Sequence, residues 1–520
     1  MNPHGRDALI ARLSATPEWD IVIIGGGATG LGCAVDAAAR GYAVLLVEAR
    51  DFAAGTSSRS TKLIHGGVRY LAQARFGLVR EALHERAHLL RNAPALVHPL
   101  RFVVPARTRL GRAALGVGLG LYDRLAAEGG VGRSVTLDPA GLHAALPGLR
   151  DEGLAGGMAY WDAQFDDAGL ALALARTAAR LGALVLNHCA LSALVVEAEQ
   201  VRGVRLRDTL SGREWTVAAR CVVNAAGVWG DAVRRLADPA AVPSLRPSQG
   251  VHLVVDGDFL PGRDALLVPR TADGRVLFMI PWLGKLLIGT TDTARDDTPD
   301  EPAPLAGEID FLLATAAQWL RRPPALADVR SVFAGLRPLL GGPGGGATGR
   351  LSREHRVEVS PQRLVSVLGG KWTTYRRMAE DAIDAAESVA GFARRPSRTA
   401  GLALDAPPVL SGSAGDGGEG RVPLIPERTG SGLLPTVDQV RQAVHESFAL
   451  TLEDVLARRS RALFLDAALA TAAAPAVART LARELGWSPA RETAEVARFV
   501  ALAARYRPRS DTVASSPPSG

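Results

Sequence analysis

The feature that most constrains this chain is a strand that runs into a glycine turn and on into a helix. Residues 19–24, WDIVII, read as a short buried strand and lead straight into Gly25, Gly27 and Gly30, spaced as GxGxxG. A helical stretch over 31–40 follows, Gly41 ends it, and a second apolar strand over 42–47 closes at Glu48. Gly25 permits the tight turn, Gly27 lets the backbone approach a pyrophosphate, and Gly30 allows close packing of helix on strand. The helix N-terminus offers free N–H groups and a positive dipole end to phosphates. Glu48 can accept hydrogen bonds from ribose hydroxyls, and its charge disfavours a 2′-phosphate. In a chain with 56 glycines a lone GxGxxG says little. With the strand, helix and acid at their expected offsets, the segment reads as a dinucleotide-binding βαβ unit.

The rest of the composition removes alternatives. A chain of 520 residues, 47% hydrophobic and 22% charged, is globular material with room for more than one domain. Its three cysteines, Cys33, Cys189 and Cys221, lack the close pairing of a disulfide framework or a zinc site, so no metal is expected and a reducing cytoplasm suits them. No apolar run follows a basic N-terminal stretch, and none nears the roughly 18–20 residues of a membrane span. The expectation is a chain without cleaved signal or span, with surface association left open.

Charge is uneven in kind and in place. Of 60 basic residues only Lys62, Lys285 and Lys371 are lysines. Coding bias explains the arginine excess, which makes a retained lysine informative. Between Arg69 and Arg112 lie nine arginines and only two acids, Glu81 and Glu85, and the net excess there equals the +7 of the whole chain. Part of that segment, 76–90, is spaced as an amphipathic helix. A solvated face, an anion pocket, and attraction to anionic lipid or acidic partners all fit. Nucleic-acid binding is not expected, since no nucleic-acid motif accompanies the charge.

Residues 55–71, GTSSRSTKLIHGGVRYL, form a polar, glycine-punctuated loop able to supply many donors to a phosphate-bearing cofactor. Residues 369–376, GGKWTTYR, follow an apolar strand over 364–368. With IPW at 280–282, GTTD at 289–292, GLRPL at 335–339 and VNAAGVW at 223–229, these stretches closely resemble the FAD-dependent glycerol-3-phosphate dehydrogenases. The likeness runs from about residue 17 to 395 and more weakly through the C-terminal helices.

That resemblance implies an α/β fold: a Rossmann-like FAD-binding domain with a doubly wound parallel sheet, an antiparallel-sheet substrate domain, and a small C-terminal helical domain. The oxidoreductase region would span 17–398, with FAD-binding pieces 17–90, 150–245 and 345–398 and substrate-domain pieces 91–149 and 246–344. Alternating stretches over 251–255, 265–269, 276–281 and 285–290 read as strands of the antiparallel sheet. Asp166 and Asp167 precede a helical run to 181 as an N-cap, with Gly182 closing it. Residues 1–16 read as a poorly ordered or helical extension, 399–433 as linker, 434–508 as the helical domain and 509–520 as a disordered tail.

The activity implied is oxidation of sn-glycerol 3-phosphate to dihydroxyacetone phosphate. Hydride would pass from C2 to flavin N5, and the electrons to a membrane quinone, from a peripheral position on the cytoplasmic face of the cell membrane. By motif position, FAD would contact Gly25, Gly27, Gly30, Glu48, Thr56, Ser57, Ser58, Lys62, Leu63, His65, Gly66, Gly67, Gly227, Gly369, Gly370, Lys371 and Thr373. The substrate would meet Arg69, Tyr70, Thr291, Arg337 and Arg353, with Tyr70 equally readable as a core aromatic. Bidentate arginine forks are the natural clamp for a phosphate. His65, Arg337 and Lys371 are the catalytic candidates. The imidazole of His65 could be the base or could orient the loop. The high pKa of arginine makes Arg337 a poor ordinary base. Where many relatives carry lysine, this chain has Gln249, which either weakens anion contact or alters a residue behind the site. Two rival readings are an oxidase or dehydrogenase of an amino acid or 2-hydroxy acid on the same fold, and a non-catalytic FAD-binding protein. A homodimer is one assembly in view, without residues that specify it.

Overall fold

The computed structural model describes residues 5–126, 129–150, 152–341, 354–406 and 433–508, and the side chains of Arg69, Ala72 and Gln73 are outside the described set. Of the expectations above, Arg353, most of the linker and the 509–520 tail lie outside the described residues.

Among the described residues the strands form one sheet of eight and one of ten. The first is built on parallel neighbours: Val365–Gly369, Glu214–Asn224, Glu18–Ile24, Val44–Val47 and Leu184–Leu186, in that order. Val44–Val47 is buried at every position, as a strand covered on both faces must be. The helices Ala28–Ala39, Asp167–Arg180 and Tyr375–Ala390 share its core through Leu31, Leu174 and Ile383. His355–Val359 adds an antiparallel edge, and Gln200–Asp208 with Cys189–Glu197 extends the sheet from Glu214–Asn224. All three cysteines are buried and free, and burial pushes the Cys189 and Cys221 thiols up to about 12.

The second sheet holds the alternating strands: Leu245–Asp256, Lys285–Gly289, Leu277–Trp282 and Ala265–Val268 pair antiparallel in turn. Ala265–Val268 then pairs parallel with Val97–Pro105, which lies antiparallel to Gly157–Phe165. The period of two sorts side chains by face. Phe102 and Val104 join Leu83 and Leu119 of the helices Phe76–Asn92 and Arg109–Ala126, while Val103 joins Leu312 and Trp319 of Ala306–Trp319 on the other side. Gly157–Phe165 belongs wholly to this sheet, so the expected FAD-binding piece 150–245 is divided between the two sheets. That strand is buried on both faces and shows no alternation to mark it.

The helices Val437–Glu446, Ala467–Leu485 and Pro489–Ala504 pack around Val440, Val477 and Phe499. Phe464 meets Phe333 of Ser331–Leu340 at 4.9 Å, joining this helical unit to the second sheet. At the other terminus, the helix Arg6–Ala15 is tied down by Arg6, whose guanidinium donates to Asp208 at 2.6 Å. Asp166 caps its helix as expected, accepting from the Gly169 N–H at 3.0 Å. No helix among the described residues is long and apolar enough to cross a membrane.

Candidate active site

Four parallel strands deliver their C-terminal ends to one place. Glu18–Ile24 runs into Gly25, Val44–Val47 into Glu48, Glu214–Asn224 into Ala225 to Gly227, and Val365–Gly369 into Gly370 and Lys371; all of these line a cavity of about 460 Å³. Ligands of open α/β sheets bind at such strand ends. The turn is a true cradle: Gly25 has φ +111°, and a Cβ there would stand 2.5 Å from the Ala225 carbonyl oxygen. A Cβ on Gly30 would lie 1.9 Å from the Gly25 oxygen, so that glycine serves the turn from behind. Glu48 fixes the turn with both oxygens, accepting from the Gly26 N–H at 2.7 Å and the Arg50 N–H at 2.9 Å. Ser57 accepts from Ala28 N–H at the helix start, at 2.9 Å, bringing the 55–62 loop to the phosphate end of the helix. On the opposite wall Gly369 and Gly370 both take positive φ, +76° and +85°, which aims Lys371 into the cavity rim. Trp372 locks this wall to the loop, its Nε1 donating to the Ser57 carbonyl at 2.8 Å.

A second cavity, about 700 Å³, adjoins the first. The strand Ser331–Leu340 serves both, with Pro338 lining the first and Arg337 the second. Arg337 donates to Thr290 Oγ1 at 2.9 Å and to the Gln249 carbonyl at 3.3 Å, with Asp292 at 3.9 Å. His65, Thr61 and Asp162 face the same space. The farther part is apolar, formed by Val68, Leu71, Phe76 and the Leu115, Leu119 and Leu121 face of Arg109–Ala126. Behind the two walls, the Thr373 hydroxyl accepts from the His65 N–H at 3.4 Å.

Residues 20–372, which include all of these but Thr373, match the FAD dependent oxidoreductase family, and residues 426–492 match the C-terminal domain of alpha-glycerophosphate oxidase. Glycerol-3-phosphate dehydrogenase of Mycobacterium leprae is 40% identical over 96% of this chain and 90% of its own length. The mitochondrial glycerol-3-phosphate dehydrogenase of Mus musculus is 38% identical over 99% of this chain and 77% of its own. The chain belongs to the FAD-dependent glycerol-3-phosphate dehydrogenase family. Among solved structures, the glycerol-3-phosphate dehydrogenase of Bacillus halodurans complexed with FAD has TM-score 0.76 at 30% identity, covering 98% of this chain and 99% of its own. Glycine oxidase from Geobacillus kaustophilus, at TM-score 0.53 and 22% identity, shares the fold. FAD is the cofactor of the family, and the glycine cradle, the acid at 48 and the Gly369–Gly370–Lys371 wall fit it.

Within this dehydrogenase the expected site residues divide into those that face a cavity and those that stand behind. Gly25, Gly27, Glu48, Thr56, Ser57, Gly227, Gly369, Gly370 and Lys371 line the first; Leu63, His65, Gly67, Thr291 and Arg337 line the second. Several other expected residues stand behind the cavity walls. Lys62 does not reach the cofactor cavity: its ammonium is fully buried, donating to Asp167 at 2.7 Å and the Ser58 carbonyl at 2.9 Å. Ser58 is likewise buried, with its carbonyl turned to that cluster. Gly66 donates its N–H to Tyr122 Oη at 2.9 Å, Thr373 accepts from the His65 N–H, and neither lines either of these two cavities. Tyr70 is buried, with its ring 5.7 Å from Lys371 Nζ, and lines neither cavity. Thr291 lines the second cavity, but its hydroxyl donates to Glu308 at 2.9 Å and accepts from the Val251 N–H at 3.0 Å, so it has no proton left for a ligand. Gln249 is fully buried behind the site and donates to the same Glu308 at 2.7 Å. The substitution therefore acts behind the cavity.

Other residues at the site carried no mark in the sequence. Asp162 accepts from Arg86 at 2.6 Å and Tyr122 at 2.8 Å; burial pushes its carboxyl up and Arg86 pulls against that. His252 meets the Thr61 hydroxyl at 2.9 Å, and burial, with Lys62 and Arg337 nearby, holds it well below the usual imidazole range. Thr290 was within a motif, GTTD, of which only its neighbour was singled out.

Proposed function

We propose that this enzyme oxidises sn-glycerol 3-phosphate to dihydroxyacetone phosphate and passes the electrons to a quinone. The carrying observation is the Arg337 guanidinium, held in one orientation at the wall of a cavity that adjoins the cofactor cavity. When bound, FAD supplies the acceptor, at N5, for the hydride that leaves C2 of the alcohol. Arg337 stays charged at any working pH and offers a fork that matches phosphate oxygens. Thr290 and the Gln249 carbonyl hold that fork in place, so little orientation is lost on binding. Arg69 and Arg353 join the clamp by motif position. His65 accepts the C2 hydroxyl proton as the alcohol becomes a ketone. Lys371 sets a compact positive charge at the cofactor wall, where negative charge grows during reduction.

The size and chemistry of the second cavity favour the apolar acceptor. A three-carbon phosphate fills a fraction of about 700 Å³, and the unfilled part is lined by leucines and Phe76. Phe76 and Leu121 of its lining are exposed, as are Leu110, to 82%, and Val117, to 78%, of the same helix as Leu121, and Arg75, Arg80, Arg107 and Arg109 are exposed near them in the chain. Exposed apolar side chains close in the chain to exposed arginines suit a peripheral position on an anionic, cytoplasmic membrane face.

Anaerobic titration of the purified holoenzyme tests the substrate. Glycerol 3-phosphate should bleach the flavin band, and 2-hydroxyglutarate should not. In the same titration Arg337→Ala should slow bleaching by about 10²–10³-fold with flavin content unchanged. Bleaching by the hydroxy acid alone would overturn the reading.

A further inference from the structure

The C-terminal helical unit contributes no described residue to the cofactor cavity, yet it grips each segment of the outer wall. The first grip is on the loop after Val44–Val47. Arg50, Ala53 and Ala54 line the cavity, and Asp51 between them turns outward, fully buried. Asp51 accepts from Arg458 and from Arg459, whose Nη2 lies at 2.9 Å. A π-helical turn, Asp454–Arg459, presents both arginines to it, and such turns gather at functional places.

The second grip is one step along the same loop. Thr56 and Ser57 line the cavity, and the carbonyl of Ser58 accepts from Arg461 Nη2 at 2.8 Å. Arg461 also pairs with Asp167 at 3.2 Å, beside Lys62. Its backbone sits at φ +64°, a region a non-glycine residue keeps only when its surroundings over-determine it. The third grip is on a strap across the cavity. Asp300 lines it, and its carbonyl accepts from Arg50 at 2.8 Å, while Trp229 Nε1 donates to the Thr298 carbonyl at 2.9 Å. The next residue, Glu301, takes a bidentate fork from Arg59 at 2.6 Å and the hydroxyl of Tyr506 at 2.9 Å.

We propose that the C-terminal helical unit is a cofactor clamp: through Asp51, Ser58 and Glu301 it sets how slowly FAD leaves, without touching FAD. The idea rests on the first cavity being the FAD site. A wall held at three points must loosen at one of them before a ligand of this length can escape, so the clamp acts on dissociation.

The test follows flavin fluorescence after the holoenzyme is diluted at 25 °C. Arg461→Lys, which loses the Nη2 contacts to Ser58 and Asp167 and the Nη1 bond to the Ala457 carbonyl, should release FAD about tenfold faster, the equivalent of roughly 1.4 kcal/mol. Tyr506→Phe removes a single hydroxyl and keeps the ring, so it folds even where Arg461→Lys does not; it should speed release about threefold. With FAD in excess, kcat and KM for glycerol 3-phosphate should match the unmodified enzyme. Val477→Ala thins the core of the same unit away from the grips; it should lower the melting temperature and leave release unchanged. Wild-type release rates in both grip variants, or equal acceleration by Val477→Ala, would overturn the clamp. A holoenzyme that yields no flavin on denaturation would instead overturn the FAD site beneath it.

Discussion

Arg337 owes its position to a glycine on the neighbouring strand. Leu245–Asp256 pairs with Ser331–Leu340, and a Cβ at Gly250 would stand 2.2 Å from Arg337 Nη2 and 2.5 Å from Thr290 Oγ1. Gly250→Ala should therefore displace the fork. The expected result is a KM for glycerol 3-phosphate raised by about tenfold, one charge-assisted hydrogen bond, with flavin content intact; an unchanged KM would show that the guanidinium does not need this seat. Arg337 was legible because it stands in a motif. Gly250 was not, since its constraint exists only in the register of two strands far apart in the chain. Lys62 was expected at the cofactor by motif position, and its ammonium lies instead in a pocket of Asp167 and the rings of Trp282, Phe333 and Phe464, 5.1–5.6 Å from Nζ. Burial brings it down to about 7, Asp167 opposing. Phe464 comes from the other end of the sequence, so no local pattern announces the pocket.

At the scale of elements, the second sheet is fastened at one corner by charge. Asp256, last residue of its strand, accepts from Lys285 at 2.7 Å at the start of Lys285–Gly289 and from Arg330 at 2.5 Å. These contacts, the Arg330 hydrogen bond first, hold its carboxyl at about 2, below the ordinary 3.8. A lowered carboxyl stabilises the fold above pH 3.8, and the gain disappears as pH falls toward 2. Asp256→Asn should thus lower the urea midpoint at pH 6 and match the unmodified enzyme near pH 2; a constant difference would place the effect elsewhere. Such strands were legible because alternation marks a sheet with unlike faces. Gly157–Phe165 was not, because both its faces are covered and its partners Val97–Pro105 and Leu63–Ile64 lie on opposite sides of it in space. The basic stretch also resolves only with partners in view: Arg86 is bound inside by Asp162, Arg101 pairs with Asp264 and Arg112 donates to the Leu137 and Ala155 carbonyls, while Arg75, Arg80, Arg91, Arg107 and Arg109 are exposed.

For the whole molecule, Arg109–Ala126 presents an exposed apolar side that carries Leu110 and Val117, with Arg107 and Arg109 exposed next to it in the chain. Leu110 and Val117 are seven residues apart, two turns along the same side of the helix. If this surface meets lipid, the enzyme should sediment with anionic vesicles, more weakly as salt rises. Leu110→Asp with Val117→Asp should cut that binding by at least about tenfold, given the ~1.5–3 kcal/mol carried by each buried side chain, and leave anaerobic flavin reduction unchanged. Unaltered sedimentation would remove this helix from the contact.

The order of strands in the first sheet also sets a timetable. Its centre, Glu18–Ile24, leaves the ribosome early, but two of its neighbours are Glu214–Asn224 and, beyond that, Val365–Gly369. Chains fold from the N-terminus as they are made, so the glycine turn waits through most of translation for its far wall. A nascent chain has half a nucleotide pocket until residue 371 emerges, and the grips on Asp51, Ser58 and Glu301 arrive later still. A complete flavin pocket therefore waits for residue 371, and its clamped form for the grips that follow.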